Sequence, residues 1–73
     1  MRILVTGGAG YVGSHTVWEL VAAGHEPAVF DDLSKGHRAA VPEGVPLFEG
    51  SLADRAALDE AFSSFQPEAV MHF

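Results

Sequence analysis

Seventy-three residues, 48% of them apolar, can form one small globular domain and no more. A net charge of −6, with four basic residues that form no run, excludes nucleic acid and anionic membrane surfaces as partners held by bulk electrostatics. Cysteine is absent, which excludes a disulfide framework and thiol-based metal or redox chemistry and fits a reducing, cytoplasmic setting. No apolar run approaches the ~20 residues of a membrane span, and Met1 to Thr6 is too short before its glycines for a signal-peptide core.

In chain order, Ile3-Leu4-Val5 is apolar at consecutive positions, as in a parallel strand covered on both faces. It runs into Gly7, Gly8, Gly10 and Gly13. Next, Gly13, Val17, Leu20, Val21 and Gly24 fall on one face of a helix, with Gly24 as its left-handed stop and Trp18 covering a flank. Ala28-Val29-Phe30 reads as a second strand, with Pro27 tolerable at its first position, ending at Asp31-Asp32. Leu33 to Gly44 reads as a loop with a helical turn at His37 to Val41. Val45 to Phe48 is a weak third strand interrupted by Pro46. Asp54 is a good N-cap for a second helix, whose apolar face is Leu58, Ala61, Phe62 and Phe65; Pro67 follows its stop. Ala69 to Phe73 is a fourth apolar strand, with His72 expected as a hydrogen-bonded core residue. Strands separated by crossovers must run parallel, so an α/β fold follows, expected as a partial doubly wound parallel sheet with two main helices; if that order holds, the four strands lie 3-2-1-4.

The chemistry lies where the first strand meets the first helix. Gly8-x-Gly10-x-x-Gly13 has the spacing of a dinucleotide fingerprint, and Thr6-Gly7-x-x-Gly10-x-x-Gly13 is a more particular variant. Such a turn aims backbone N–H groups and a helix N-terminus at a phosphate. Asp31 follows Gly13 by 18 residues at the end of the second strand, where a carboxylate can accept hydrogen bonds from the adenosine ribose. An acid there repels a 2′-phosphate, which favours NAD over NADP. Lys35 and Arg38 are the cations that could reach a 2′-phosphate if the loop folded back. A kinase-type phosphate loop is excluded, because Ser14-His15 stands where Lys-Ser/Thr is required. His15, His25, His37 and His72 are scattered and form no metal-ligand spacing.

Met1 to Thr16, then Gly24-His25-Glu26, Asp31 to Gly36 and Val70 to Phe73, resemble the N-terminal segment of the UDP-glucose 4-epimerases. These are NAD-dependent members of the extended short-chain dehydrogenase/reductase (epimerase/dehydratase) family. The resemblance covers the whole chain but about a fifth of such an enzyme, and it implies that residues 1–73 are the N-terminal part of an NAD-binding Rossmann domain with no second domain. It also implies that Gly7, Gly10, Tyr11, Val12 and Gly13 line the pyrophosphate and that Asp31 holds the ribose. Asp32, Leu33, Ser34, Lys35 and Gly36 would then wrap the adenosine end, Ser51 and Leu52 flank the adenine, and Phe73 approach the dinucleotide. Ser51 stands where the family usually has Asp, and Asp32 and Lys35 where it usually has Asn.

The family's catalytic Tyr-x-x-x-Lys pair is not within these residues: Tyr11 is the only tyrosine and Lys35 the only lysine. The chain is therefore expected to bind NAD but not, by itself, to interconvert UDP-glucose and UDP-galactose, the UDP-sugar belonging to a full-length parent. A non-catalytic NAD-binding or interaction module, and the N-terminus of another sugar-nucleotide dehydratase or reductase, are the other readings. The fourth strand, apolar and at a sheet edge, is expected to promote self-association.

Overall fold

The computed structural model describes residues 1–73. Strand β1 (Arg2–Thr6) leads through the glycine turn into helix α1 (Tyr11–Ala22) and strand β2 (Glu26–Asp31). A 3₁₀ turn (Arg38–Ala40) precedes strand β3 (Leu47–Glu49), helix α2 (Arg55–Phe65) and strand β4 (Ala69–His72). The strands are all parallel, in order β3-β2-β1-β4. Strand order reverses between β1 and β4, and ligands of doubly wound sheets bind outside the carboxyl ends of the strands at such a point.

The central strands are buried on both faces because their residues alternate between two apolar layers. Ile3, Val5 and Val29 pack with Ala9 and Val17 on the α1 side, joined by half-buried Leu20, Leu33, Val41 and Leu47. Leu4, Ala28 and Phe30 pack with Ala61 on the α2 side, joined by Phe48, Ala57, Leu58 and Phe65. Phe30, Leu4, Val5, Val17 and Val29 are the largest fully buried side chains.

Both helices end as their sequences dictate. After α1, His25 N–H reaches Leu20 O at 3.0 Å and Gly24 N–H reaches Val21 O at 3.1 Å. This is a Schellman closure with Gly24 at φ +86°, a backbone angle that glycine adopts without cost. Asp54 caps α2 by accepting from Ala57 N–H at 3.1 Å. Helix α1 begins differently: its N-cap is Gly10, and no side chain caps it.

The structure corrects four local expectations. Strand β2 starts at Glu26, so Pro27 is its second residue. Glu26 N–H bonds Met1 O toward β1 while Val29 N–H bonds Pro46 O away from it, so alternation puts Pro27's missing donor on the β3 side. Pairing on that side begins only at Val29↔Leu47, so nothing there lacks a partner. The third strand is Leu47–Glu49 rather than Val45 to Phe48; Pro46 donates nothing and serves only as an acceptor, at 2.8 Å from Val29 N. On the helices the buried stripes are rotated from those expected. Ser14 is buried while Val21 is exposed, and Ala57 packs inward while Phe62 is 44% exposed. His72 is hydrogen-bonded as expected, to Thr6 Oγ1 at 2.7 Å through Nδ1, but it is exposed rather than in the core.

Candidate functional site

A cavity of about 390 Å³ opens at the carboxyl ends of β1 and β2. The glycine turn with the first residues of α1 forms one wall: Gly7, Gly10, Tyr11, Val12 and Gly13. Asp31, the loop residues Ser34, Lys35 and Gly36, and Phe73 beyond β4 complete it. Each of these residues is one that the sequence nominated, and separate parts of the chain bring them together.

The turn's glycines do different work. Gly7 sits at φ +75°, donates its N–H to Phe30 O at 2.8 Å, and would bring a Cβ to 2.7 Å from Phe73 O. Phe73 N–H in turn bonds Thr6 O at 2.9 Å, so the end of β4 lies directly against the turn. At Gly13 a Cβ would overlap Gly7 O and lie 2.9 Å from Gly7 C and 3.0 Å from Gly8 Cα, all of them backbone atoms. The helix can start this close to the turn only without a side chain there. Gly10 is the exception. A Cβ there would meet only Gly7 O, at an ordinary 3.5 Å, and its φ of −77° is open to any residue. Protein packing therefore leaves its side-chain space free, and Gly10 is part of the cavity wall.

Above it, the amide N–H groups of Tyr11, Val12 and Gly13 have no acceptor in the protein, as expected of a first helical turn without a side-chain cap. Donors converging on a space free of side chains at a helix N-terminus suit an anion. A pyrophosphate can approach Gly10 where any larger residue would stand in its way, so the residues present fit the phosphates of a dinucleotide.

Asp31 is buried, and both its carboxylate oxygens are engaged. Oδ2 accepts from Ala9 N–H at 2.9 Å and Oδ1 from Leu33 N–H at 2.8 Å. A carboxylate offers about four lone-pair sites, so capacity remains for two hydroxyl donors. The loop after β2 also closes on Ala9, at the next peptide, His37 N–H donating to Ala9 O at 3.1 Å. Gly36 completes that seat: a Cβ on it would fall 2.5 Å from Ala9 C and 2.9 Å from Gly10 N. Ala9 is the residue that sequence reasoning missed. Its part is played by its main chain, which no side-chain pattern records.

Four nominated residues lie outside the cavity wall. Asp32 is exposed and folds its carboxylate over Ser34, accepting from the N–H at 2.9 Å and the hydroxyl at 2.7 Å. Those two bonds, the backbone one first, hold its carboxyl below the ordinary value. Leu33, at φ +62°, turns its side chain into the core layer under α1. Ser51 and Leu52 are exposed beyond β3; Ser51 Oγ accepts from Ala53 N–H at 3.1 Å. They stay near the cavity's end of the sheet because Gly50 N–H bonds Asp31 O at 3.1 Å. No group of three or more metal-ligating side chains occurs, and no helix is long and apolar enough to cross a membrane.

Known proteins resemble this chain in sequence and fold. UDP-glucose 4-epimerase of Rhizobium leguminosarum bv. trifolii is 51% identical over 71 residues, which are 97% of this chain and 21% of that protein. A crystal structure of the Thermus thermophilus UDP-glucose 4-epimerase in complex with NAD superposes with a TM-score of 0.97 at 51% identity, covering 99% of this chain and 23% of the other. The Brucella ovis enzyme, also in complex with NAD, gives 0.93 at 44% identity, covering 99% and 22%. The chain thus spans little more than a fifth of the length of the relatives it matches, at their N-terminal part. The model of the NAD dependent epimerase/dehydratase family matches residues 3–73, and the chain belongs to that family.

Proposed function

We propose that this chain binds NAD in the cavity at the glycine turn, as the N-terminal part of the Rossmann domain of a UDP-glucose 4-epimerase-type protein. The observation that carries the reading is the side-chain space at Gly10, which packing does not require, beneath three unpartnered N–H groups of α1. The first turn of α1 would take the pyrophosphate, and Asp31 would take the adenosine ribose hydroxyls on its remaining lone pairs. The loop from Asp32 to Gly36, with Ser51 and Leu52, would border the adenosine end. Phe73, seated against Gly7, would face the dinucleotide near the strand-order reversal. When bound, NAD supplies hydride transfer. The residues here bind and orient it; the Tyr-x-x-x-Lys pair that moves the sugar hydroxyl's proton in the family is not among them.

Titration of the 73-residue protein with NAD by calorimetry tests this. Saturable one-to-one binding is expected, with NADP weaker because its 2′-phosphate would meet the Asp31 carboxylate. Absence of heat or saturation at millimolar NAD would overturn the reading. Epimerisation of UDP-glucose is proposed for a full-length parent, and these 73 residues alone are expected to show no turnover. The outer edge of β4 is unpaired, and Val70, Met71 and Phe73 are exposed along it, which supports self-association of the chain as it stands. We place the protein in the cytoplasm, in keeping with its cysteine-free composition; fractionation of cells carrying a tagged copy checks this.

A further inference from the structure

We propose that a second cavity, at the opposite end of the sheet from the glycine turn, binds an organic ammonium ion, a protonated amine carried on a small apolar body. The inference does not depend on the NAD reading.

The cavity follows from where the β2–β3 ladder stops. Val29 N–H bonds Pro46 O and Gly50 N–H bonds Asp31 O, so the odd-numbered residues of β2 turn their backbone polar groups toward β3. The next rung toward the amino end would join Pro27 O to the N–H of residue 46, but that residue is proline and has none. There the two segments part. The chain before β3 swings away through a turn in which Val45 N–H bonds Pro42 O at 3.1 Å and Gly44 adopts φ +87°. The gap between them measures about 450 Å³, within the roughly 300–1,000 Å³ of small-molecule sites. It lies on the β2–β3 side of the sheet, away from the unpaired edge of β4.

Its walls are of two kinds. Val21 near the end of α1, Val45 and Pro46 of the loop, and Phe65 at the end of α2 supply apolar surface. The polar groups are the Glu26 and Glu43 carboxylates, the His25 imidazole and the Pro27 carbonyl. The ion pairs of the chain, Arg38 with Glu49 and Arg55 with Asp59, use neither carboxylate. No basic side chain lines the cavity. Arg38, at the hollow beyond Glu43, is held by Glu49, and Arg2 Nε is taken by Gln66 O. In the same wall His25 Nδ1 is buried without a hydrogen-bond partner, a polar atom that the protein leaves unsatisfied. Acceptors without a basic side chain to match them, set beside apolar surface, complement a ligand that brings N–H donors, positive charge and a hydrocarbon body. The net charge of −6 adds long-range attraction for a cation. A metal ion fits less well, since hard cations gather about six or more oxygen ligands and no group of three or more metal-ligating side chains occurs here.

The test is an amide-detected NMR titration of the 73-residue protein with 2-phenylethylammonium, set against 2-phenylethanol and 3-phenylpropionate as neutral and anionic bodies of similar size. The ammonium at millimolar concentration should give saturable shifts at Val21, His25, Glu43 and Val45, and none at Gly10 or Gly13. The alcohol should bind at least about threefold more weakly, and the carboxylate not at all. Glu26→Gln and Glu43→Gln should each weaken the ammonium about two- to fivefold and leave the alcohol unchanged, as one partly screened charge pair does. Glu60→Gln removes the same charge outside the cavity and should bind as the unsubstituted chain does. The same spectra show whether each variant keeps the fold. Absence of saturable shifts, equal affinity for the three bodies, or undiminished ammonium affinity in folded Glu26→Gln/Glu43→Gln would overturn the assignment. So would displacement of the ammonium by Mg²⁺ or Ca²⁺ at constant ionic strength, which would make this a metal site. Each of these outcomes leaves the NAD titration, read at the glycine turn, untouched.

Discussion

Glycines only three residues apart in the turn should respond in opposite ways to the same added methyl group. Gly10→Ala places a Cβ 3.5 Å from Gly7 O, an ordinary contact, at a backbone angle alanine accepts. The fold loses only the preference of an N-cap for glycine over alanine, up to about 1 kcal/mol. The methyl enters the cavity where a phosphate must approach, and NAD affinity should fall at least about tenfold, equivalent to ~1.4 kcal/mol. Gly13→Ala instead drives a Cβ into the Gly7–Gly8 backbone, which cannot rotate aside as a side chain can. Alanine's helix propensity returns up to about 1 kcal/mol, and overpacking costs about 1–3 kcal/mol or more, leaving a net loss. Against a total stability of roughly 4–11 kcal/mol for a chain of this length, that loss is visible. Urea denaturation followed by far-UV circular dichroism, paired with NAD titration, reads both effects. Equal destabilisation by the two substitutions, or undiminished NAD affinity in Gly10→Ala, would refute the reasoning.

Asp31→Asn turns one acceptor oxygen into a donor facing the N–H of Ala9 or Leu33; a loss of about 1–3 kcal/mol in urea is expected, together with weaker NAD binding. An unchanged urea midpoint would show that the two bonds do not hold the turn. Acid should weaken the fold through Asp32, lowered by Ser34, and Glu68, lowered chiefly by the Arg2 N–H. Both carboxyls are held below their ordinary values of 3.8 and 4.5, so the unfolded chain binds protons more readily. Their contribution is complete above that range and is lost as pH falls through and below it. The urea midpoint should drop between pH 6 and pH 3, and less steeply in Asp32→Asn/Glu68→Gln; identical slopes would contradict the assignment. Sedimentation at rising concentration should show association of the chain through β4, reduced by Val70→Lys on that strand; a monomer at all concentrations would count against it.

What could be read along the chain is what neighbours a few residues apart can enforce. The apolar run of β1, the Asp54 cap, the Gly24 stop and the spacing of Gly7, Gly10 and Gly13 were all legible, because each acts on the backbone within one or two turns of itself. The parallel direction of the strands followed from their alternation with crossovers, the 3-2-1-4 order rested on the doubly wound arrangement being the one adopted, and every residue lining the cavity at the glycine turn had been nominated. Packing in three dimensions settled which of those residues share the cavity and what each one does there. Leu33 turns into the core and Asp32 closes on Ser34, although both sit beside Asp31 in the chain. Phe62 faces outward and Ala57 inward, because the angle at which α2 lies on the sheet selects the buried stripe. The division of labour within the glycine turn is likewise tertiary. Gly7 is crowded by Phe73 from 66 positions away and Gly36 by Ala9, while Gly10 is crowded by nothing. A glycine reads the same in a sequence whether protein or ligand needs its space, and only the packed chain distinguishes the two.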